Sequence, residues 1–276
     1  MYNNKIKFSV LLSVYFGEKR ENLKLALKSI YDDQILKPDE IILVEDGALT
    51  EELYSEINYQ LENLKGILKL VKLEKNSGLG NALKEGVLHC NYEWIARMDT
   101  DDISYPERFF KQVKFIENNP SVDVLGTFMT EFIGDRNNKI CIKDAPLKRI
   151  KKYIKYRDPV NHPSVFLRKS KVLEAGNYQE IFLNEDSYLW ARMYIIGAKF
   201  ANIAEELVYF RVDDNTYKRR GGWKYIKAEW ELQKEYLRLG IINKIEFWIS
   251  ICLKSCVRLM PNFTRKFIYL KILRRK

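Results

Sequence analysis

The feature that most constrains the fold is an alternation. Apolar, β-forming runs at Ile6–Val14, Glu40–Val44, Leu68–Leu73 and Trp94–Met98 are separated by segments whose apolar residues recur at helical spacing. Leu23, Ala26, Leu27 and Ile30 mark the first such helix. Leu53, Ile57 and Leu61, behind an N-capping Thr50, mark the second. A third opens at the turn Asn76-Ser77-Gly78-Leu79-Gly80 and ends near His89. Continuous apolar strands alternating with helices read as βαβαβαβ. This predicts an α/β fold with a mostly parallel central sheet and helices on both faces.

That topology says where chemistry belongs, because ligands of such sheets sit beyond the carboxyl ends of the strands. Ser13 ends the first strand, Asp46 the second, and Asp99-Thr100-Asp101-Asp102 follows the fourth. Crowded carboxylates raise one another's pKa unless a cation compensates them. Mn²⁺ and Mg²⁺ take such oxygen ligands and leave positions for substrate phosphates. In an extended segment Asp99 and Asp101 face one way and Asp102 the other. Alone, the cluster fits an acidic surface turn equally well; sharing an edge with Ser13 and Asp46 argues for a site. The 76–80 turn is not a dinucleotide fingerprint, since it lacks the third glycine and follows the third strand. A phosphatase with an aspartyl nucleophile would carry its DxD pair on the first strand, not the fourth.

The rest of the chain extends the same sheet. Pro106 opens a helix through Glu117, and Val122–Ile133 reads as a long strand with a short return strand at Lys139–Ile142. Pro146–Lys155 reads as helical, and His162 precedes a strand at Ser164–Leu167. Asn184-Glu185-Asp186 opens a helix bearing Leu189, Met193 and Ile196, and two strands, Lys199–Ile203 and Leu207–Val212, close the set. A basic, glycine-bearing loop, Lys218-Arg219-Arg220-Gly221-Gly222, leads into a long helix, Trp223–Leu239. No repeat, low-complexity tract or linker divides residues 1–240.

Charge separates the last segment from that body. The chain of 276 residues carries +10, and residues 241–276 hold nine Lys/Arg against Glu246 alone, which leaves +2 for the preceding 240. Ile249, Cys252, Leu253, Cys256 and Met260 fall on one helical face, with Phe247 and Trp248 as interfacial aromatics. This pattern predicts a basic amphipathic element on an anionic membrane surface, against the plainer reading of a helix packed on the domain. Nucleic acid is not expected, since no recognition module accompanies the basic residues. The four cysteines lack metal-ligand spacing and are expected as free thiols in the cytoplasm. The first strand begins too early for a signal peptide, and no apolar run spans a bilayer.

Five motifs in order make the chain recognisable: Ser9-Val10-Leu11-Leu12-Ser13-Val14-Tyr15, Val44-Glu45-Asp46-Gly47, Asn76-Ser77-Gly78-Leu79-Gly80, Asp99-Thr100-Asp101-Asp102 and Asn184-Glu185-Asp186. Together they resemble glycosyltransferase family 2, over about residues 6–220. Ala96–Arg108 with Lys218–Gly222 resembles the subgroup that builds bacterial exopolysaccharide and capsule repeat units. The resemblance implies a GT-A fold over 1–240, with a nucleotide-sugar half (1–105) and an acceptor half (106–240), and C-terminal amphipathic helices beyond. It implies inverting transfer of one sugar from a UDP-sugar, with Mn²⁺ or Mg²⁺, to a lipid-linked saccharide on the inner face of the cell membrane. The processive QxxRW signature is absent, which favours a single addition.

Roles follow position by position. The resemblance implies that Ser13, Tyr15 and Asn76 lie in the nucleotide site and that Asp46 hydrogen-bonds the uracil. Asp99 matches the acid shared by ribose and metal, Asp101 the metal ligand, and Asp102 the acid near the donor sugar. Asp186 matches the catalytic base, although a helix N-terminal acid is also favoured by the dipole alone. Arg219 and Arg220 suit a loop closing over the diphosphate, or are solvated charges. Glu185, Trp190 and His162 are acceptor-side candidates, with core packing the plainer reading for Trp190 and a structural role for His162. One departure is that the loop after the last strand reads Arg211-Val212-Asp213-Asp214-Asn215, without the His many relatives use as a metal ligand; Asp213 is the candidate replacement. The alternative function is a non-catalytic membrane-surface protein on a degenerate transferase fold.

Overall fold

The computed structural model describes residues 6–148, 150–213, 221–261 and 264, apart from the side chain of Lys151. The opening alternation is realised as β1 (Phe8–Val14), α1 (Arg20–Ile30), β2 (Glu40–Asp46), α2 (Glu51–Asn63), β3 (Leu68–Leu73), α3 (Leu79–His89) and β4 (Trp94–Arg97). Thr50 caps α2 as predicted, its hydroxyl accepting from the Leu53 amide. The second half supplies β5 (Ile103–Ser104), α4 (Arg108–Asn118), β6 (Val124–Phe132), β7 (Lys139–Lys143), α5 (Ile150–Tyr153), β8 (Phe166–Arg168), α6 (Lys169–Glu174), α7 (Glu185–Ile195) and β9 (Phe200–Arg211). Helices α8 (Trp223–Arg238) and α9 (Lys244–Leu259) lie beyond β9.

Among the described residues nine strands join one sheet in the order β3-β2-β1-β4-β8-β6-β9-β5, with β7 paired to β6. Strands β1 to β4 are mutually parallel where they pair. Short β8 runs antiparallel between β4 and β6, and so stitches the two halves into a single hydrogen-bond ladder. The predicted closing pair of strands is one element, since β9 follows β6 in parallel throughout and shifts register at Thr127–Met129. The helix expected over 146–155 shrinks to the single turn of α5.

Period-two alternation of the buried strands feeds two cores, one on each face. Leu11, Ile42, Val44 and Ile95 point to the face covered by α3, α7 and α8. Val10, Leu12, Ile41, Leu43 and Ala96 point to the face covered by α1, α2 and α4. Ile241, Ile242, Phe247 and Ile251 belong to the first core, so packing continues through residue 240 into α9 without a break.

Candidate functional site

The Met98 amide still bonds the Leu11 carbonyl at 3.1 Å, after which the chain leaves the sheet. Thr100 fixes the departing loop over the end of β1: its hydroxyl donates to Glu18 Oε2 at 2.9 Å and lies 3.4 Å from the Ser13 carbonyl. Asp102 is fully buried. Its Oδ1 accepts from the Arg211 amide at the end of β9 at 2.8 Å, while Arg211 Nε donates to the Asp101 carbonyl at 2.7 Å. Two distant strands thus cage the acidic loop. Asp99 takes both ends of the Arg97 guanidinium, with Nη1 to Oδ2 at 2.6 Å.

The electrostatics follow from that cage. Burial, with Asp99 and Glu18 close by, pushes the Asp101 carboxyl up to about 7. Burial, then Asp101 and Asp99, raise Asp102 well above the usual range. One oxygen from each of Asp99, Asp101 and Asp102 lies within 4.8 Å of the others, and Asp102 Oδ2 is buried with no hydrogen-bond partner. Clustered hard oxygen donors with one orphaned atom fit a divalent cation such as Mn²⁺ or Mg²⁺. Asp213 is exposed and does not join this group.

Arg97 belongs to this cluster as well: it is 2% exposed in β4, between parallel β1 and antiparallel β8, and its one sequence mark is a cation within an apolar run ahead of three acids. Glu18 and the Arg211 amide were invisible in the sequence, because a side chain 82 residues away and a backbone donor 109 residues away leave no local pattern.

Along the same edge, Asp46 is taken up by the glycine turn. Its Oδ1 accepts from the Ser77 amide at 2.7 Å and the Ser77 hydroxyl at 3.1 Å, and Oδ2 accepts from the Gly78 amide at 3.0 Å. Asn76 is exposed at the same turn and donates to the Asp46 carbonyl at 3.2 Å. Gly47, at φ +79°, lets the two turns touch: a Cβ there would stand 2.4 Å from the Asn76 amide nitrogen. Tyr15, in edge contact with Phe16 at 5.6 Å between centroids, is exposed at the end of β1. Ser13, Tyr15, Asp46, Asn76 and the acids therefore share the strand-end edge.

The start of α7 faces them. A Cβ on Gly80 would stand 3.1 Å from Glu185 Cβ, so the glycine turn and the Asn184-Glu185-Asp186 turn lie side by side. Leu183 enters α7 with a φ of 60°, uncommon for a branched residue, and Asn184 Nδ2 pins the entry to the Ala228 carbonyl of α8 at 3.1 Å. Asp186 Oδ1 accepts from the Ser187 amide at 2.7 Å, and Oδ2 is 3.9 Å from His162 Nδ1. Burial, with Asp158 and Glu185 nearby, pushes Asp186 up to about 8. Burial also raises Glu185. Asp186 opens onto a cavity of about 610 Å³ walled by the 154–161 segment, α8 and α9.

For two acceptor-side candidates the structure supports the plainer reading. Trp190 is fully buried, packed edge-on against His162 and Phe200, so it is a core residue and not a platform for a sugar. His162 is buried, its Nε2 2.8 Å from the Tyr178 hydroxyl, and burial holds its pKa well below the usual range. It supports Asp186 from behind as a neutral ring. Arg219 and Arg220 lie outside the described residues.

Comparison with known proteins identifies the family. Residues 9–176 match the profile of Glycosyl transferase family 2. The chain is 39% identical to the amylovoran biosynthesis glycosyltransferase AmsE of Erwinia amylovora, over 96% of this chain and 98% of that protein. It is 37% identical to the UDP-Gal:alpha-D-GlcNAc-diphosphoundecaprenol beta-1,3-galactosyltransferase of Escherichia coli, over 100% and 99% of the two chains. In fold it superposes on S. aureus TarS 1–349 in complex with UDP-GlcNAc with a TM-score of 0.67, at 19% identity, covering 97% of this chain and 76% of that one. Relatives matched along their whole length favour the enzyme over the non-catalytic alternative. The chain belongs to glycosyltransferase family 2 and has its GT-A fold.

Proposed function

We propose that this glycosyltransferase moves one sugar, with inversion, from a UDP-sugar to a lipid-linked saccharide in bacterial surface polysaccharide synthesis, at the cytoplasmic face of the membrane. The observation that carries the reading is the pairing of two sites on one edge: an under-neutralised carboxylate cluster, and across the glycine turn a partly exposed acid, Asp186, whose pKa is raised toward neutrality. The names of the two relatives support the polysaccharide setting, the UDP donor and the lipid-linked acceptor.

Direct displacement sets two demands: charge develops on the leaving diphosphate, and the acceptor hydroxyl must lose its proton. Asp99, Asp101 and Asp102 would hold Mn²⁺ or Mg²⁺, which supplies positive charge to the diphosphate. Arg97 keeps Asp99 oriented and itself stays buried beside the cluster. Asp46 acts through the turn it holds, presenting Asn76 and the N-terminus of α3 to the nucleotide. Tyr15 is exposed where a base would stack. Asp186, fixed through Oδ1 by the Ser187 amide, keeps Oδ2 for the acceptor proton. A pKa of about 8 suits a base working near neutral pH.

Peripheral membrane attachment rests on α9, which turns Ile245, Trp248, Ile249 and Leu253 outward. Among the described residues no helix is long and apolar enough to cross a membrane. Calorimetry of UDP with and without Mn²⁺, followed by UDP release from a panel of nucleotide sugars, tests the proposal. UDP binding that strengthens at least tenfold with Mn²⁺ is expected; equal affinity in EDTA would overturn the metal assignment.

A further inference from the structure

Helix α9 is usually the kind of element read as an appendage, yet both its ends are bolted to the domain. At its start Asn243 and Glu246 form a capping box, and Glu246 takes Lys155 Nζ at 2.6 Å. At its end the Arg258 carbonyl accepts from the Gly222 amide at 3.1 Å, where α8 begins. Between these points Phe247 and Ile251 enter the core, and Lys254 and Arg258 both reach the buried Glu229 of α8. The face turned inward is therefore the partly charged one. The face turned outward is apolar, with Trp248 57% and Leu253 64% exposed. A helix packed for its own stability would do the reverse.

What the inward face closes is the cavity onto which Asp186 opens. Its polar lining is mixed, and its arginines and Lys254 are already paired. Arg157 bonds Asp144 at 3.1 Å, and Lys254 and Arg258 hold Glu229. Such pairs carry little net charge toward a free phosphate, but they offer N–H donors and carboxylate acceptors side by side, the chemistry that binds a polyol. The volume, about 610 Å³, is that of a small-ligand site and not of a packing defect.

We infer that this cavity is the subsite for the acceptor saccharide, and that α9 is its outer wall. The helix then has two jobs: its inner face completes the sugar site beside Asp186, and its outer face meets the bilayer that carries the lipid end of the same acceptor. This rests on the transferase reading above, and extends it by making residues 244–259 part of the substrate site.

The test is saturation-transfer NMR of the full-length protein with the methyl glycosides of glucose, galactose and N-acetylglucosamine at millimolar concentration. UDP–Mn²⁺ binding is measured on the same wild-type sample. Val257, on the inner face of α9, lines the cavity, and Val257→Trp fills it. At least one glycoside should show transfer to the wild type, reduced at least fivefold in Val257→Trp. If Val257→Trp does not fold by circular dichroism, Leu253→Trp at the cavity mouth replaces it. Signals unchanged in the folded variant overturn the inference. So does a wild type that binds UDP with Mn²⁺ but none of the glycosides. A wild type that fails to bind UDP sinks the transferase reading first.

Discussion

The two ends of the central sheet each bury acids, and they treat them oppositely. At the amino end Glu40 lies between Ser9 Oγ (2.7 Å), Lys69 Nζ (2.7 Å) and the Asn91 amide (2.9 Å). Burial alone would raise its pKa, but the bonds from Lys69, Asn91 and Ser9 outweigh it and hold the carboxyl below its usual range. At the carboxyl end Asp102 is as buried as Glu40 and Asp101 is partly exposed, yet neither has enough donors to offset desolvation and its acidic neighbours, and both are raised. Burial of an acid therefore does not mark a functional site; burial with the hydrogen bonds left unmade does. Glu40 staples β1, β2 and the approach to β4, while the acidic loop keeps its electrostatic debt for a ligand to settle.

Substitutions at the two ends should separate along this line. The largest effect is expected from Asp101→Asn, with sugar transfer falling about 10³-fold in a UDP-release assay while the fold persists. Full activity in that variant would erase the contrast. Asp186→Asn should lower transfer by about 10²-fold and leave UDP–Mn²⁺ affinity intact by calorimetry. If transfer survives, the base lies elsewhere. Glu40→Gln should do the opposite, costing about 2 kcal/mol of stability, or roughly 5 °C in Tm, with transfer by the folded enzyme unchanged.

The smallest effect is the sharpest, because its sign differs between the ends. Glu40 has a lowered folded pKa, so its stabilisation is present above the unfolded value and lost as pH falls through the folded one. Asp101 rises from 3.8 to about 7, so the folded state binds the extra proton, and stability drains away as pH climbs from about 4 toward 7. In EDTA, Asp101→Asn should therefore raise Tm by about 2–4 °C at pH 8 and leave it unchanged near pH 4. A variant that melts lower than wild type at pH 8 would show that the loop is satisfied after all.

How legible was this in the sequence? The strand-end edge was, because a parallel sheet places consecutive strand ends together, and Ser13, Asp46 and Asp99–Asp102 each follow their own apolar run. Asp186 could be found at a helix start, two residues after Asn184. The sequence pattern could not rank the acids, however. Glu40 and Asp46 bracket the same strand, and only the third dimension shows that one is saturated by Lys69 and Asn91 and the other by the Ser77 and Gly78 amides. Arg97 was hidden inside a strand that reads as core. The cavity beside Asp186 was least legible, since its walls come from residues near 157, 186, 229 and 254, which no local spacing connects. Trp190 was legible only as an alternative: helical spacing puts it near Asp186, and it is core, as its plainer reading has it, because α7 is buried over most of its circumference.

The bond between Asp102 and the Arg211 amide also sets an order of assembly. Strands β1 to β4 can form from local crossovers as soon as the first half of the chain is available, but Asp102 meets its donor 109 residues later, when β9 docks beside β6. Pairings of that range form late, after their loop entropy has been offset by other contacts. On the ribosome the N-terminal half emerges first, and its acidic loop stays hydrated until the last strand arrives. The carboxylates of the acidic loop are thus the part of that half to mature last, which spares the nascent chain from burying them before the structure that steadies them exists.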